Sequence, residues 1–403
     1  MVILFKQKEV LSRAEALTPQ LIKWRRNLHM NPELSFQEVR TSRFVTDILN
    51  DIHGMQVQTA VGFSTAVVGT LSNGPGPVIA IRADMDALPI DEENDVAYRS
   101  QHDGVMHACG HDAHTTIALG AAHLLAEKMQ KGEWKGSVKF LFQPAEEKAD
   151  DHGLTGAPYM VEAGVLDDVD AVIALHMSPE DELGTVKMND GYSMASVDVF
   201  DAKIHGTGGH GAYPHLGSDP VWMLSQVLPA LYGLTGRRVS PLDSAVLSIG
   251  KINTGFASNV IPSKINMQGT IRSYHPDVRE VIHAELKKIL AVVEPLGGNY
   301  ELTIKPEDPA LKNNPRINKL IKQTMKELYP HFILVDSPFG LGGEDFAHMT
   351  QVAPGAMFFL GCRKAGDQIR NLHTPIFDID EQCLPVGAAI MAEAASCFLT
   401  DSN

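Results

Sequence analysis

The sequence predicts an α/β protein: a doubly wound domain in two pieces, interrupted by an inserted ferredoxin-like α+β domain. Three observations carry this expectation. Continuous apolar runs alternate with helical patterns over the first half of the chain, as strands covered on both faces of a parallel sheet do. After about Thr185 the pattern becomes β-α-β-β-α-β, the split ferredoxin-like order. After Pro306 the α/β style returns. The expected pieces are residues 1–186, 187–305 and 306–403, with no internal repeat and no low-complexity linker.

The elements follow in order. A helical pattern runs from about Thr18 to Asn31, and a second begins near Ser35, with Phe36, Val39, Phe44, Val45, Ile48 and Leu49 apolar. Buried-strand candidates are Thr65–Leu71, Pro77–Met85, Ser137–Ala145 and Asp170–Ser178, with a helix from about Thr115 to Met129. In the insert, strands are expected at Ser196–Gly206, Ser244–Ile252, Ser263–Arg272 and Asn299–Lys305, and helices at Asp219–Leu234 and from Pro276 to about Val293. A helix near Asn314–Tyr329, a strand at Ala356–Cys362 and a helix from near Pro385 complete the chain.

Composition narrows the function. The 403 residues are 44% hydrophobic and 21% charged, enough to bury a large core. A formal net charge of -15 disfavours nucleic-acid and anionic-membrane binding, which need basic patches. No apolar run is expected to reach the length of a membrane span. The opening MVILFKQKEVLSRAEAL turns from apolar to charged too soon for a secretory signal. Cys109, Cys362, Cys383 and Cys397 are too few for a disulfide framework and are expected as reduced thiols in a cytoplasmic protein.

The chemistry concentrates in MHACGHDAHT, Met106–Thr115, where three histidines and a cysteine fall within ten residues. A thiolate and an imidazole two residues apart, Cys109 and His111, can grip one metal centre across a bent backbone. Other donors stand at strand ends: Asp84 and Asp86, Glu146 and Glu147, His176, and His373 in Asn371–Pro375. In an open α/β sheet ligands bind beyond the carboxyl ends of the strands. The expected metal ligands are Cys109, His111, Glu147, His176 and His373. Five exceed what a single catalytic zinc takes, so two ions sharing a bridging ligand are expected. Of Glu146 and Glu147, one would bind metal and the other take a proton, and spacing leaves open which. Asp84, Asp86, His107 and His114 are expected to orient ligands or support structure, and His29 to cap or pack the first helix.

The motifs RRNLHMNPELSFQE, RADMDALPI, MHACGHDAHT, FQPAEE, NVIP, GTIR, GGEDF and NLHTP occur in this order. Together they resemble the M20 metallopeptidase family in its amidohydrolase branch, which includes hippurate hydrolases, N-acyl-amino-acid amidohydrolases and auxin-conjugate hydrolases. The resemblance implies a di-metal, aminopeptidase-like catalytic domain with an inserted dimerisation lid. It implies that Cys109 bridges two divalent ions per subunit; the donor set leaves the metal open, cysteine with imidazole suiting zinc and the carboxylates also admitting manganese, cobalt or nickel. Glu146 would be general base and then acid. His210 would reach across a dimer to stabilise the oxyanion, and Asn259 and Arg272 would hold the substrate carboxylate. The expected activity is hydrolysis of N-acyl amino acids by a homodimer or dimer of dimers. The alternatives are a metallo-carboxypeptidase or dipeptidase acting on short peptides, and a metal-binding protein without turnover.

Overall fold

The computed structural model describes residues 2–401; Met1, which opens the stretch read for a secretory signal, lies outside them. The chain divides into two compact units, Met1–Gly191 with Lys312–Phe339 and Asp345–Asn403, and Tyr192–Leu311 with Gly340–Glu344. The exchanges at 191 and 311 come later than the expected 186 and 305, for local reasons. Thr185–Lys187 is a strand of the large sheet, paired with Ile333–Val335 and Gly355–Arg363, so the first unit continues past it. At the return, Glu307 N donates to Val197 O and Val197 N to Asp308 O, which keeps that segment on the second unit.

The first unit is built on an eight-stranded sheet in the order Met55–Thr59, Val67–Ser72, Ser137–Gln143, Val78–Asp84, Ala171–Glu182, Gly355–Arg363, Thr185–Lys187, Ile333–Val335. The four central strands are mutually parallel. The sheet as a whole is mixed, because Met55–Thr59 and Val67–Ser72 form a hairpin and Val67–Ser72 pairs antiparallel to Ser137–Gln143. A short connection leaves no room for a parallel crossover. Alternate residues of Val78–Asp84 (Ile79, Ile81, Ala83) and Ala171–Glu182 (Ala171, Ile173, Leu175, Met177) enter one apolar core with the helices Val2–Met30, His111–Gln130 and Cys383–Asp401.

Two expectations are corrected here. The first helix begins at Val2 rather than near Thr18 and runs through Pro19. Thr18-Pro19 resembles a helix start, and an interior proline costs about 3 kcal/mol. The buried stripe Val10, Ala14, Leu21, Trp24 and Leu28 keeps the helix continuous by packing both sides of the proline on the core. The window Cys383–Thr400 has a mean hydropathy of 1.6 over 18 residues, long and apolar enough to cross a membrane, contrary to the sequence reading. It packs instead on the helices Val2–Met30, His111–Gln130 and Pro315–Leu328, with 78% of its residues buried in this unit.

The second unit has an antiparallel four-stranded sheet in the order Ala245–Asn253, Lys264–Ser273, Ser196–His205, Asn299–Pro306. With the helices Pro220–Arg238 and Pro276–Leu290 this is the ferredoxin-like arrangement. Phe200, Ala202 and Ile204 alternate inward onto Met223, Val227, Ile282 and Leu286. Asp219 caps the first of these helices by accepting from Val221 N at 2.8 Å, with Pro220 at the first helical position.

Candidate metal centre

The centre forms where strands of the first unit end and loops begin. Gly110 precedes the helix His111–Gln130 at φ 91°, and a Cβ there would lie 2.9 Å from Met177 Cγ. That turn, open to glycine alone, separates Cys109 from His111 and lets both face one space. His373 is carried to the same place by its own N–H, which donates to Ala108 O at 2.8 Å while its backbone sits at φ 59°. His176 lies on Ala171–Glu182.

The donor atoms converge. Cys109 Sγ lies 3.5 Å from His176 Nε2 and 3.4 Å from His373 Nε2. Glu147 Oε1 lies 3.3 Å from His373 Nε2 and 3.9 Å from His111 Nε2. Cys109, His111 and His176 form one group whose ligand atoms all lie within 4.8 Å of one another, and Cys109, Glu147 and His373 form a second. Cys109 belongs to both. The edge of a tetrahedron with ordinary zinc–nitrogen and zinc–sulfur bonds is about 3.5 Å, so the two sulfur–imidazole distances suit shared coordination.

Hydrogen bonding fixes which imidazole nitrogen faces the centre. His111 Nδ1 is 2.9 Å from Asp86 O, and His176 Nδ1 is 2.8 Å from Met177 O. A carbonyl only accepts, so each ring keeps a proton on Nδ1 and turns its Nε2 toward the centre. The buried atoms His111 Nε2 and Glu147 Oε1 have no hydrogen-bond partner. Orphaned buried atoms of this kind call for an ion or a water. His114 differs: its Nδ1 bonds Asp84 Oδ1 at 2.7 Å and its Nε2 accepts from Met177 N at 2.9 Å, which commits both nitrogens and makes it a brace.

The local field favours a cation. Burial opposes charge on His111, but Asp84, Asp86 and Glu147 outweigh it and raise its imidazolium to about 10. Burial pushes the Cys109 thiol well up, and Glu147 and Glu146 add to the shift. Burial also pushes His176 well down, so it is a neutral imidazole. A bound cation reverses the penalty on the thiolate, because its charge is the largest in such a site.

Glu146 joins the centre as well: His111, Glu146 and Glu147 offer donor atoms within 4.8 Å of one another. Neighbouring side chains point oppositely only along extended chain, and the chain here is not extended. Ala145 sits at φ 50°, and the turn brings both carboxylates round.

In the second unit His210 and Asn259 are neighbours on a two-stranded ribbon, where Val260 pairs with His210 and Gly211 N donates to Asn259 O at 2.8 Å. Both are exposed. Arg272 is not brought to them. The ribbon leaves the sheet at the end where Lys264 pairs with His205, and Arg272 pairs with Val197 near the other end of the same strand. The run from Lys264 to Arg272 spans about 26 Å. Arg272 Nη1 donates to Thr270 Oγ1 at 2.5 Å.

The sequence reading passed over a buried network behind the centre. Arg25 Nε and His29 Nδ1 both lie 2.8 Å from Asp112 Oδ2, and His29 Nε2 lies 3.2 Å from Glu92 Oε1. The helix pattern around Arg25 and His29 held the signal, since two polar residues four apart fall on its buried face.

Comparison with known proteins agrees with this geometry. Residues 80–396 match the model of peptidase family M20/M25/M40. The chain belongs to this family. It is a metal-dependent hydrolase of amide bonds. It is 41% identical over 386 residues to "Thermostable carboxypeptidase 2" of Saccharolobus solfataricus, covering 94% of this chain and 95% of that one. It is 37% identical over 406 residues to "N-acetyl-L-cysteine deacetylase" of Bacillus subtilis, covering 100% and 93%. The Bacillus subtilis YXEP protein, described as a dinuclear metal binding peptidase of the M20 family, superposes with a TM-score of 0.83 at 33% identity, covering 96% of this chain and 100% of that one.

Proposed function

We propose that this M20 hydrolase cleaves the amide of N-acyl amino acids, releasing a carboxylic acid and a free amino acid. The observation that carries the reading is the pair of donor groups sharing Cys109, with His111 Nε2 and Glu147 Oε1 buried and without hydrogen-bond partners. Cys109, His111, Glu147, His176 and His373 would hold two divalent ions, zinc, manganese, cobalt or nickel. When bound, such a pair supplies Lewis acidity that acidifies a water and polarises the acyl carbonyl. Glu146 takes the proton from the attacking water and hands it to the leaving nitrogen.

The first unit is then the catalytic domain and the second a lid that pairs two subunits. His210 would stabilise the oxyanion, and Asn259 and Arg272 would hold the substrate carboxylate. The length of strand between the His210–Asn259 ribbon and Arg272 supports contribution from two chains: Arg272 from one, His210 and Asn259 from its partner. A homodimer meets that need, alone or as half of a dimer of dimers.

Hydrolysis of a panel tests the reading: benzoyl-glycine, acetyl-amino acids, an indoleacetyl conjugate and free dipeptides, each with chelated protein and with each added metal. Metal-restored cleavage of the blocked substrates is expected, with Glu146→Gln inactive and still loaded with metal. The carboxypeptidase relative favours a second reading, a peptidase of short peptides, and preference for free dipeptides would establish it. A metal-replete protein inert across the panel would defeat both.

A further inference from the structure

Three consecutive main-chain N–H groups at the centre end on two buried carboxylates. Ala145 N donates to Glu38 Oε1 at 2.8 Å, Glu146 N to Asp86 Oδ1 at 3.1 Å and Glu147 N to Asp86 Oδ2 at 3.0 Å. The carboxylates come from separate places in the chain. Glu38 closes the motif Arg25–Glu38, and Asp86 follows the strand Val78–Asp84.

Glu38 is fully buried. Its Oε1 also accepts from Phe36 N at 2.8 Å and its Oε2 from Thr65 Oγ1 at 2.8 Å. Those bonds pin the carboxylate independently of Ala145. Ala145 is buried too and held in the left-handed region at φ 50°, where a residue with a Cβ stays only if its surroundings fix it. Its carbonyl is fixed as well, accepting from Gly156 N at 2.9 Å. This turn is what presents both Glu146 and Glu147 to His111. Without the Glu38 oxygen, the Ala145 N–H would be a buried donor lacking an acceptor, and the chain would gain by rotating away from the left-handed state.

We propose that Glu38 is a positioning residue for the general base: by accepting the Ala145 N–H it locks the left-handed turn that aims Glu146. The proposal rests on the assignment of Glu146 as base. Glu38 touches no reacting atom and holds no ligand. Its loss therefore lowers the rate of the chemical step while leaving substrate affinity in place, since a displacement of about 1 Å in a reacting group can lower turnover about a hundredfold.

The test compares Glu38→Asp, Glu38→Gln and Glu146→Gln with the wild type as metal-loaded enzymes, on whichever panel substrate the wild type turns over. Hydrogen exchange of the peptide containing Ala145 is measured alongside. Aspartate keeps the charge but withdraws it by one methylene. Glutamine keeps an oxygen for the Phe36 and Ala145 N–H groups, and its amide can donate to Thr65 Oγ1. Glu38→Asp is expected to lose tenfold or more in kcat with KM within twofold, full metal content and faster exchange at Ala145. Glu38→Gln is expected to recover kcat to within threefold and slow exchange. If Glu38→Asp folds and keeps wild-type kcat while Glu146→Gln is dead, the proposal falls alone. Loss of metal from Glu38→Asp, or failure of Glu38→Gln to recover, would overturn it in favour of a structural role. If Glu146→Gln retains turnover, the assignment of the base falls and takes this proposal with it.

Discussion

His111 Nδ1 lies 2.9 Å from the main-chain oxygen of Asp86 and 3.3 Å from its Oδ1. One residue thus sets the tautomer of the imidazole with its carbonyl and supports it with its carboxylate, which also accepts from Glu146 N, Glu147 N and Ser35 Oγ. Asp86→Ala keeps the carbonyl and removes the rest. It is expected to weaken metal binding about 10- to 100-fold, read by competition with a chromophoric chelator. Unchanged affinity would show that the carbonyl alone suffices.

The proposed contribution of His210 by a partner makes a complementation experiment decisive. Glu146→Gln and His210→Ala chains, each inactive alone, are co-expressed. In a mixed dimer one site then combines an intact Glu146 with an intact His210. With random pairing, about a quarter of wild-type activity should return. No recovery in a verified mixed dimer would place His210 in its own chain's site.

Glu38 makes stability depend on pH. Burial first, and Asp86 second, raise its carboxyl to about 7 from an ordinary value of 4.5. The folded state therefore holds that proton more tightly than the unfolded chain. The contribution is present in full below pH 4.5 and is lost as pH rises through 7. Glutamine does not ionise. Glu38→Gln should match the wild type near pH 4.5 and exceed it by about 3 kcal/mol above pH 7, measured by urea unfolding at both ends of the range. A difference independent of pH would show that Glu38 is ionised without penalty.

Asp112 accepts from both Arg25 and His29 inside the protein. Asp112→Ala leaves the Arg25 Nε without its acceptor, with Asp378 and Glu381 still on the other nitrogens. Breaking such a pair on one side costs about 3 kcal/mol, visible as a lower denaturation midpoint at pH 7. A loss under 1 kcal/mol would mean that Asp378 and Glu381 carry the arginine unaided.

The sequence made the central strands legible because Val78–Asp84 and the first part of Ala171–Glu182 are buried on both faces and read as largely apolar runs. It did not announce Met55–Thr59, Thr185–Lys187 or Ile333–Val335, edge or near-edge strands too short to show a period. The gathering of Cys109, His111, Glu147, His176 and His373 was foreseeable, since strand ends meet on one side of a parallel sheet. The bonds from Glu38 to Ala145 and from Arg25 to Asp112 were not. They join residues 107 and 87 positions apart, and no local pattern marks a side chain that acts on a distant backbone or charge.

The order of strands sets an order of events during synthesis. Gly355–Arg363 sits inside the sheet, between Ala171–Glu182 and Thr185–Lys187, and leaves the ribosome after every other strand of that sheet. His373 follows it. The inserted unit, apart from Gly340–Glu344, is one continuous stretch from Tyr192 to Leu311 and emerges earlier. A nascent chain can therefore close its smaller sheet while the larger one still has an open seam in its middle. The cluster of donors around Cys109 stays incomplete until His373 has been made, so the inserted unit can be folded before the last of those donors has left the ribosome.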